Sequence, residues 1–165
     1  MSLPAPVDEY LRRHTILTLS TRDEEGIPHA TPLFYALLPD GDVVFISHPD
    51  TAHIRHMLGQ PHVAIAVYGE PQVWQHIQGV QAHGEGYELP PVRHQEAWDA
   101  YVAAFPFLKQ VVRSETPSVQ QVRSAFQDAR WYGIRLTWVR LIDNQQGFSH
   151  KDEWVRGPDR WEKVR

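Results

Sequence analysis

Ser47, Thr51, His53 and Arg55 stand close together in the chain, where a β-branched run ends and a helix begins. A helix start offers free backbone N–H groups and the positive end of the helix dipole, which together make an anion site. The Thr51 hydroxyl and the cations of His53 and Arg55 suit a phosphate. Asp50 opposes an anion unless its carboxylate serves as the helix cap. The plain alternative is a capped helix with solvated charges. His53 and His56 are three apart and share a helix face, with His48 nearby, a spacing that also permits a metal pair. A third ligand is missing from that face, so surface histidines beside a helix start are the preferred reading.

The surrounding elements follow from periodicity and turn residues. Pro4 and Pro6, then Asp8 and Glu9, open a short helix that lays Val7, Tyr10 and Leu11 on a core. Strands are expected over residues 14–21, 29–38 and 43–47, separated by turns at 23–26 and 39–42. Pro32 interrupts the second strand and marks an edge, a bulge, or a strand whose free side faces something other than a strand. The helix over 51–59 carries Ile54, Met57 and Leu58 and stops at Gly59. A fourth strand spans 63–68. A long fifth starts near Val73, with Gly79, Gly84 and Gly86 suggesting a bend or bulge. The stripe His94, Ala97, Trp98, Tyr101, Val102, Phe105 is a helix. Another helical turn is expected over 107–112, a further helix opens at 116–118, and residues 131–143 form a long final strand. An extended segment over 148–155 and a loose charged tail from 156 complete the chain. Runs of strands with few helices between them predict a mainly β fold, an antiparallel barrel of about six strands with appended helices.

Composition narrows the chemistry. The 165 residues suit a single domain over 1–165. The absence of cysteine excludes disulfides, thiolate metal sites and a cysteine nucleophile. A net charge of −4 leaves no basic face for nucleic acid. The longest apolar runs, 34–38 and 63–67, are far short of the roughly 20 residues of a membrane helix. The first residues carry no signal-peptide pattern, so a cytoplasmic protein is expected. No phosphate loop, His-Glu-x-x-His or Gly-x-Ser-x-Gly is present, and Gly84-Glu85-Gly86 lies within a strand with no helix behind it.

The order of elements resembles the pyridoxamine 5′-phosphate oxidase-like FMN-binding split barrel, and within it a small uncharacterised branch. That branch carries a terminal stretch like Asp143-Asn144-Gln145-Gln146-Gly147-Phe148-Ser149-His150-Lys151-Asp152-Glu153-Trp154. The likeness covers roughly residues 10–154. Val43-Val44-Phe45-Ile46-Ser47, Thr51-Ala52-His53 and Pro61-His62-Val63 resemble the family's Phe-Tyr-Thr strand end, Ser-Arg-Lys segment and Pro-Arg-Val, without a gap. Residues 78–86 resemble its long fifth strand. The resemblance implies an FMN cleft between two subunits of a homodimer. Thr31, Pro32, Leu33 and Phe34 would run along the isoalloxazine. Ile46 and Ser47 would lie by the ribityl chain and phosphate, and Thr51, Ala52 and His53 at the phosphate. Gln78 or Gly79 would approach the flavin, and the partner's C-terminal region, with Trp154, would close the cleft.

The departures are as informative. Thr31 stands where the family has a phosphate-binding Arg, and Ala52-His53 where it has Arg-Lys. Charge-assisted phosphate contacts are about twice as strong as neutral ones, so FMN affinity falls unless Arg55 or another side chain substitutes. The Arg-Leu-Ala-Pro ending is absent, so oxidation of pyridoxamine phosphate is not expected. The leading expectation is a flavin-dependent oxidoreductase on an unidentified small substrate, with His150 as a candidate proton donor at the cleft mouth. The alternatives are a binding module for haem or an anionic metabolite, and a dimeric barrel that has lost its cofactor.

Overall fold

The computed structural model describes residues 1–71, 73–108 and 128–165. The helix expected to open at 116–118 lies outside them, as does most of the turn at 107–112. Helix α1 (Ala5–Arg12) has proline in its first positions, Asp8 in its first turn and Arg12 in its last. Asp8 and Arg12 pair at 2.7 Å across one turn, and the opposite face buries Val7, Tyr10 and Leu11. The strands are β1 (Ile16–Arg22), β2 (Pro28–Phe34), β3 (Ala36–Leu37), β4 (Val43–Ser47), β5 (His62–Tyr68), β6 (Gln78–Glu88), β7 (Arg130–Asp143), β8 (Lys151–Arg156) and β9 (Trp161–Lys163). Helices α2 (Ala52–Gly59) and α3 (His94–Ala104) complete the regular elements, with 3-10 turns at Trp74–His76, Pro91–Arg93 and Asn144–Gln146.

All nine strands form one antiparallel sheet in the order β2-β1-β5-β6-β7-β4-β3, with β8 and β9 continuing from β7. The expected second strand is two. β2 pairs with β1 as far as Phe34, and from Ala36 the same stretch pairs with β4. This change of partner curls the sheet into a barrel that is split between β2 and β4. Tyr35 sits at the change, 1% exposed; its hydroxyl donates to the Leu11 carbonyl at 2.7 Å, and its N–H to that of Thr15. The tail is not loose as expected: β9 pairs with β8, and Val164 and Glu153 bond backbone to backbone.

The barrel interior is filled by alternate residues: Leu17 and Leu19 of β1, Val63, Ile65 and Val67 of β5, and Tyr132, Ile134, Leu136, Val139 and Leu141 of β7. Leu136 and Val139 both point inward because the register of β6 and β7 shifts at His83/Gly84. Thr137 is the extra residue of this bulge, and its hydroxyl donates to the His83 carbonyl at 3.2 Å. A second apolar cluster lies on the outer side of β3 and β4, where Val44 and Leu38 meet Ala97 and Tyr101 of α3 and Phe105 just after it. Strand β4 is therefore covered on both faces, which explains its uninterrupted apolar run.

Two glycines of β6 are required by close approach. A Cβ at Gly84 would overlap the carbonyl of Arg135, and one at Gly86 would overlap the Met57 side chain of α2. At Gly59, by contrast, nothing lies within 4 Å of an added Cβ. Gly84→Ala is therefore expected to cost about 2–3 kcal/mol in urea denaturation, while Gly59→Ala is neutral or mildly stabilising. Equal stabilities for the two variants would contradict the bulge packing.

Candidate functional site

The end of β4 and the start of α2 meet at the barrel mouth. Thr51 is the N-cap of α2, with extended backbone (φ −70°, ψ 147°), but its side chain does not cap the helix. Its hydroxyl donates instead to the His48 carbonyl at 2.9 Å. Ser47 Oγ lies 2.9 Å from His53 Nε2 and 3.2 Å from Thr51 Oγ1, and Thr51 Oγ1 is 3.3 Å from the same His53 nitrogen. With its proton committed to His48, Thr51 faces the other two as an acceptor. A neutral His53 protonated on Nε2 then donates to Ser47 Oγ, whose own proton goes to Thr51 Oγ1, and the three side chains satisfy one another. Half-burial, then the neighbouring His56, holds the His53 imidazolium below the usual histidine range.

The charges around this cluster are already engaged. The Arg55 guanidinium donates to the Asp50 carbonyl. His48 Nδ1 lies 3.7 Å from an Asp50 oxygen. His56 contacts Thr21 at 3.4 Å and lies against His29 of β2 with the rings tilted at 49° and centroids 4.6 Å apart, and His29 is held by Asp23 at 3.1 Å. Arg130 faces Ser47 in register from β7 and pairs with Glu88 at 3.4 Å. One inward step along the same two strands, Tyr132 stacks on Phe45. Its buried hydroxyl has no partner among the described residues.

Strand parity separates the residues expected along a flavin ring. Thr31 and Leu33 share the inward face with their β1 partners Leu19 and Leu17, and Leu33 packs on the core. Pro32 and Phe34 point outward. Phe34 rests edge-to-face on Phe105 at 5.2 Å, and its carbonyl accepts from the Tyr101 hydroxyl. Four consecutive side chains of one strand therefore do not face one ring. Ile46 likewise packs on the α3 cluster, on the opposite side of β4 from Ser47. The expected edge position of β2 is observed, with β1 as its one long partner.

Gln78 and Gly79 lie far from Ser47 within one chain. Gln78 is in register with Asp143 at one end of β7, and Ser47 with Arg130 at the other, about 40 Å of strand contour apart. Gln78 Nε2 donates to Asp143 at 2.9 Å, and its carbonyl accepts from Tyr10. Trp154 does not close a cleft: it is 8% exposed and part of the barrel core, with Lys163 above its ring. A tryptophan on a strand reads equally well as lid or core until its facing strand is known. His150 lies at the Asp143 end, 3.5 Å from Asp152, also remote from Ser47.

Sequence reasoning missed the fully buried Asp42. Its Oδ2 accepts from the Tyr87 hydroxyl at 2.6 Å and from Arg93 at 3.2 Å, and Arg93 also pairs with Asp40 and Glu96. Only its place in a turn was visible, because most turn aspartates are exposed. Among the described residues no three histidines or carboxylates are grouped as a metal site, and no helix is long and apolar enough to cross a membrane.

A model of the family described as pyridoxamine 5′-phosphate oxidase matches residues 3–143. The chain belongs to that family. Among curated relatives, a UPF0306 protein of Campylobacter jejuni is 26% identical over 150 residues, covering 90% of this chain and 95% of the relative. Two solved structures show the same fold. One is a pyridoxamine 5′-phosphate oxidase-related, FMN binding protein of Nostoc punctiforme, with 16% identity, a TM-score of 0.67 and all of both chains covered. The other is a heme binding protein of Mycobacterium smegmatis, with 19% identity, a TM-score of 0.69, 94% of this chain and 60% of that one. Family membership accounts for the split barrel.

The His53 environment makes a stability prediction. Its folded pKa is depressed, so below the unfolded value near 6.5 the unfolded chain binds the proton more readily. Stability should fall as pH drops from about 6.5 toward the folded pKa. Urea denaturation at pH 7.5, 6.5 and 5.5 should show this loss in the wild type and a smaller one in His53→Gln. Parallel profiles for the two proteins would count against a buried neutral imidazole.

Proposed function

We propose that this protein binds FMN, or a closely related flavin, at the barrel mouth and carries out flavin redox chemistry on a small substrate. The observation that carries the reading is the Ser47–Thr51–His53 cluster at the side-chain-uncapped start of α2, in a chain of this family. Two hydroxyls, an imidazole and free helix amides are the donor types a phosphate needs. The orphaned Tyr132 hydroxyl adds a buried polar atom behind them. The residues present fit the group in kind, and the FMN-binding relative of the same fold supports the assignment.

A bound flavin supplies the hydride and electron chemistry. Ser47, Thr51 and His53 would hold its phosphate, with Thr31 on the facing strand. Gln78 and Gly79 would come from a second copy, because one chain holds them at the far end of β7. The functional unit on this reading is a homodimer with a site at the subunit interface. No side chain is assigned as acid or base to the reaction; His150, paired with Asp152 beyond Gln78, would reach the site only from the partner.

Haem is the second reading, favoured by the heme binding protein of the same fold and by the ten histidines. The visible spectrum of the purified protein, before and after excess FMN and desalting, separates the two. A retained flavin spectrum, with a solution mass of twice 19.1 kDa, is the expected result. A sharp haem band decides for the second reading, and a colourless protein that loses FMN on desalting decides against both. Ser47→Ala should weaken FMN retention about tenfold through the lost phosphate contact.

A further inference from the structure

The end of β7 opposite Ser47 carries an exposed aromatic pair. Trp74 lies in the 3-10 turn between β5 and β6, and Phe148 in the loop between β7 and β8. Their rings meet edge-to-face, 5.5 Å apart and at an angle of 81°. Trp74 is 53% exposed and Phe148 80%. A single exposed apolar side chain is ordinary on a protein surface. Two rings brought together from loops distant in sequence, and held there, are not.

The two loops are built as one unit. Asn144 is 8% exposed. Its side-chain N–H donates to the Trp74 carbonyl at 2.9 Å, and its side-chain oxygen accepts from the Ser149 N–H at 3.0 Å. Its backbone N–H donates to the Ile77 carbonyl at 3.0 Å. One buried residue thus ties the backbone beside each ring to the other. Asp143 closes the base, accepting from the Gln145 N–H and from the side chains of Gln146 and Gln78. The Phe148 loop also holds Ser149 in left-handed backbone (φ 62°), a conformation that costs energy in a residue with a side chain and that clusters at ligand-holding loops. The backbone around Phe148 is fixed while its ring is left in the open.

The rings border a hollow of about 600 Å³, a volume typical of small-molecule sites. Gln75, His76, Gln145 and Gln146 line it with them. Side-chain amides offer both donors and acceptors. The described lining includes no carboxylate, lysine or arginine, in a chain of which 22% is charged. A charged guest would lose water there without gaining an opposite charge from these residues. A planar ring gains one face to stack on and one edge to meet, since the two aromatic planes stand nearly perpendicular. We propose that the Trp74–Phe148 hollow is a binding site for an uncharged, planar heteroaromatic molecule, held by ring stacking and by the side-chain amides. The proposal does not rest on the flavin reading: within one chain the hollow lies at the other end of β7 from Ser47, and it shares no residue with that cluster.

The test follows the Trp74 indole N–H in proton–nitrogen correlation spectra of the full-length protein at pH 8.0, assigned as the resonance that Trp74→Phe removes. The probes are quinoline-3-carboxamide and quinoline-3-carboxylate, which share a ring and differ in charge. The carboxamide should shift the Trp74 resonance to saturation, with a Kd about tenfold below that of the carboxylate. Phe148→Ala should weaken carboxamide binding about tenfold, and Phe148→Tyr should retain it. Both variants should unfold at the wild-type urea concentration, because the Phe148 ring is exposed. A Trp74 resonance that neither probe moves, equal affinity for the two probes, or wild-type binding in Phe148→Ala overturns the proposal. So does a Trp74 resonance that shifts with protein concentration alone, with a lower solution mass in Phe148→Ala, since a second copy then covers the rings. Any of these results leaves the flavin reading standing, and loss of FMN on desalting leaves this site standing.

Discussion

The partner exchange at Tyr35 organises the molecule. A strand that pairs with β1 up to Phe34 and with β4 from Ala36 joins the two ends of the sheet order, so the sheet closes. The exchange leaves a backbone break that has to be satisfied and buried. Tyr35 does both: its N–H and hydroxyl reach the Thr15 and Leu11 carbonyls, and burial pushes its phenol well above the usual tyrosine range. Helix α1 is thereby fixed against the seam. The mouth between β2 and β4, where Ser47, Thr51 and His53 gather, exists because closure is incomplete there.

Charge is handled differently at the two sides of β4. At its start, the buried Asp42 carboxylate is held by Tyr87 and Arg93, with Arg135 and Arg156 within 4.0 Å. Leaving such a carboxylate without partners would cost several kcal/mol, so the β3–β4 turn is locked to β6 and to the approach of α3. At its end, the strand opens into neutral hydroxyls and an imidazole whose charge is optional. The rigid end positions the strand, and the other end is left chemically adjustable.

The long β7 strand explains why a single chain does not assemble all the expected site residues. Ser47 and Gln78 both pair with it, at opposite ends. Extended backbone cannot bring its own ends together. Residues that are neighbours in a flavin site of this family therefore belong, on the proposed reading, to different copies. The bulge at Gly84 and Thr137 serves the same strand: it preserves inward parity across a length that would otherwise turn Val139 and Leu141 to solvent.

Much of this was legible in the residues. Turn chemistry at Pro39-Asp40-Gly41-Asp42 and β-branched alternation placed β1, β4 and β5 to within two residues, and the Ile54–Met57 stripe placed α2. The proximity of Ser47, Thr51 and His53 followed from a strand end running into a helix start, because those contacts are local in sequence. What the tertiary structure alone decided was direction and partnership across distance. It turned Pro32 and Phe34 outward, buried Trp154, paired the tail as β9, committed Arg55 and Arg130 to other partners, and surrounded Asp42 with arginines from three elements. Local spacing determines which side chains share a face of one element. Which element that face meets is set by the closure of the whole sheet, a constraint no short stretch of sequence contains.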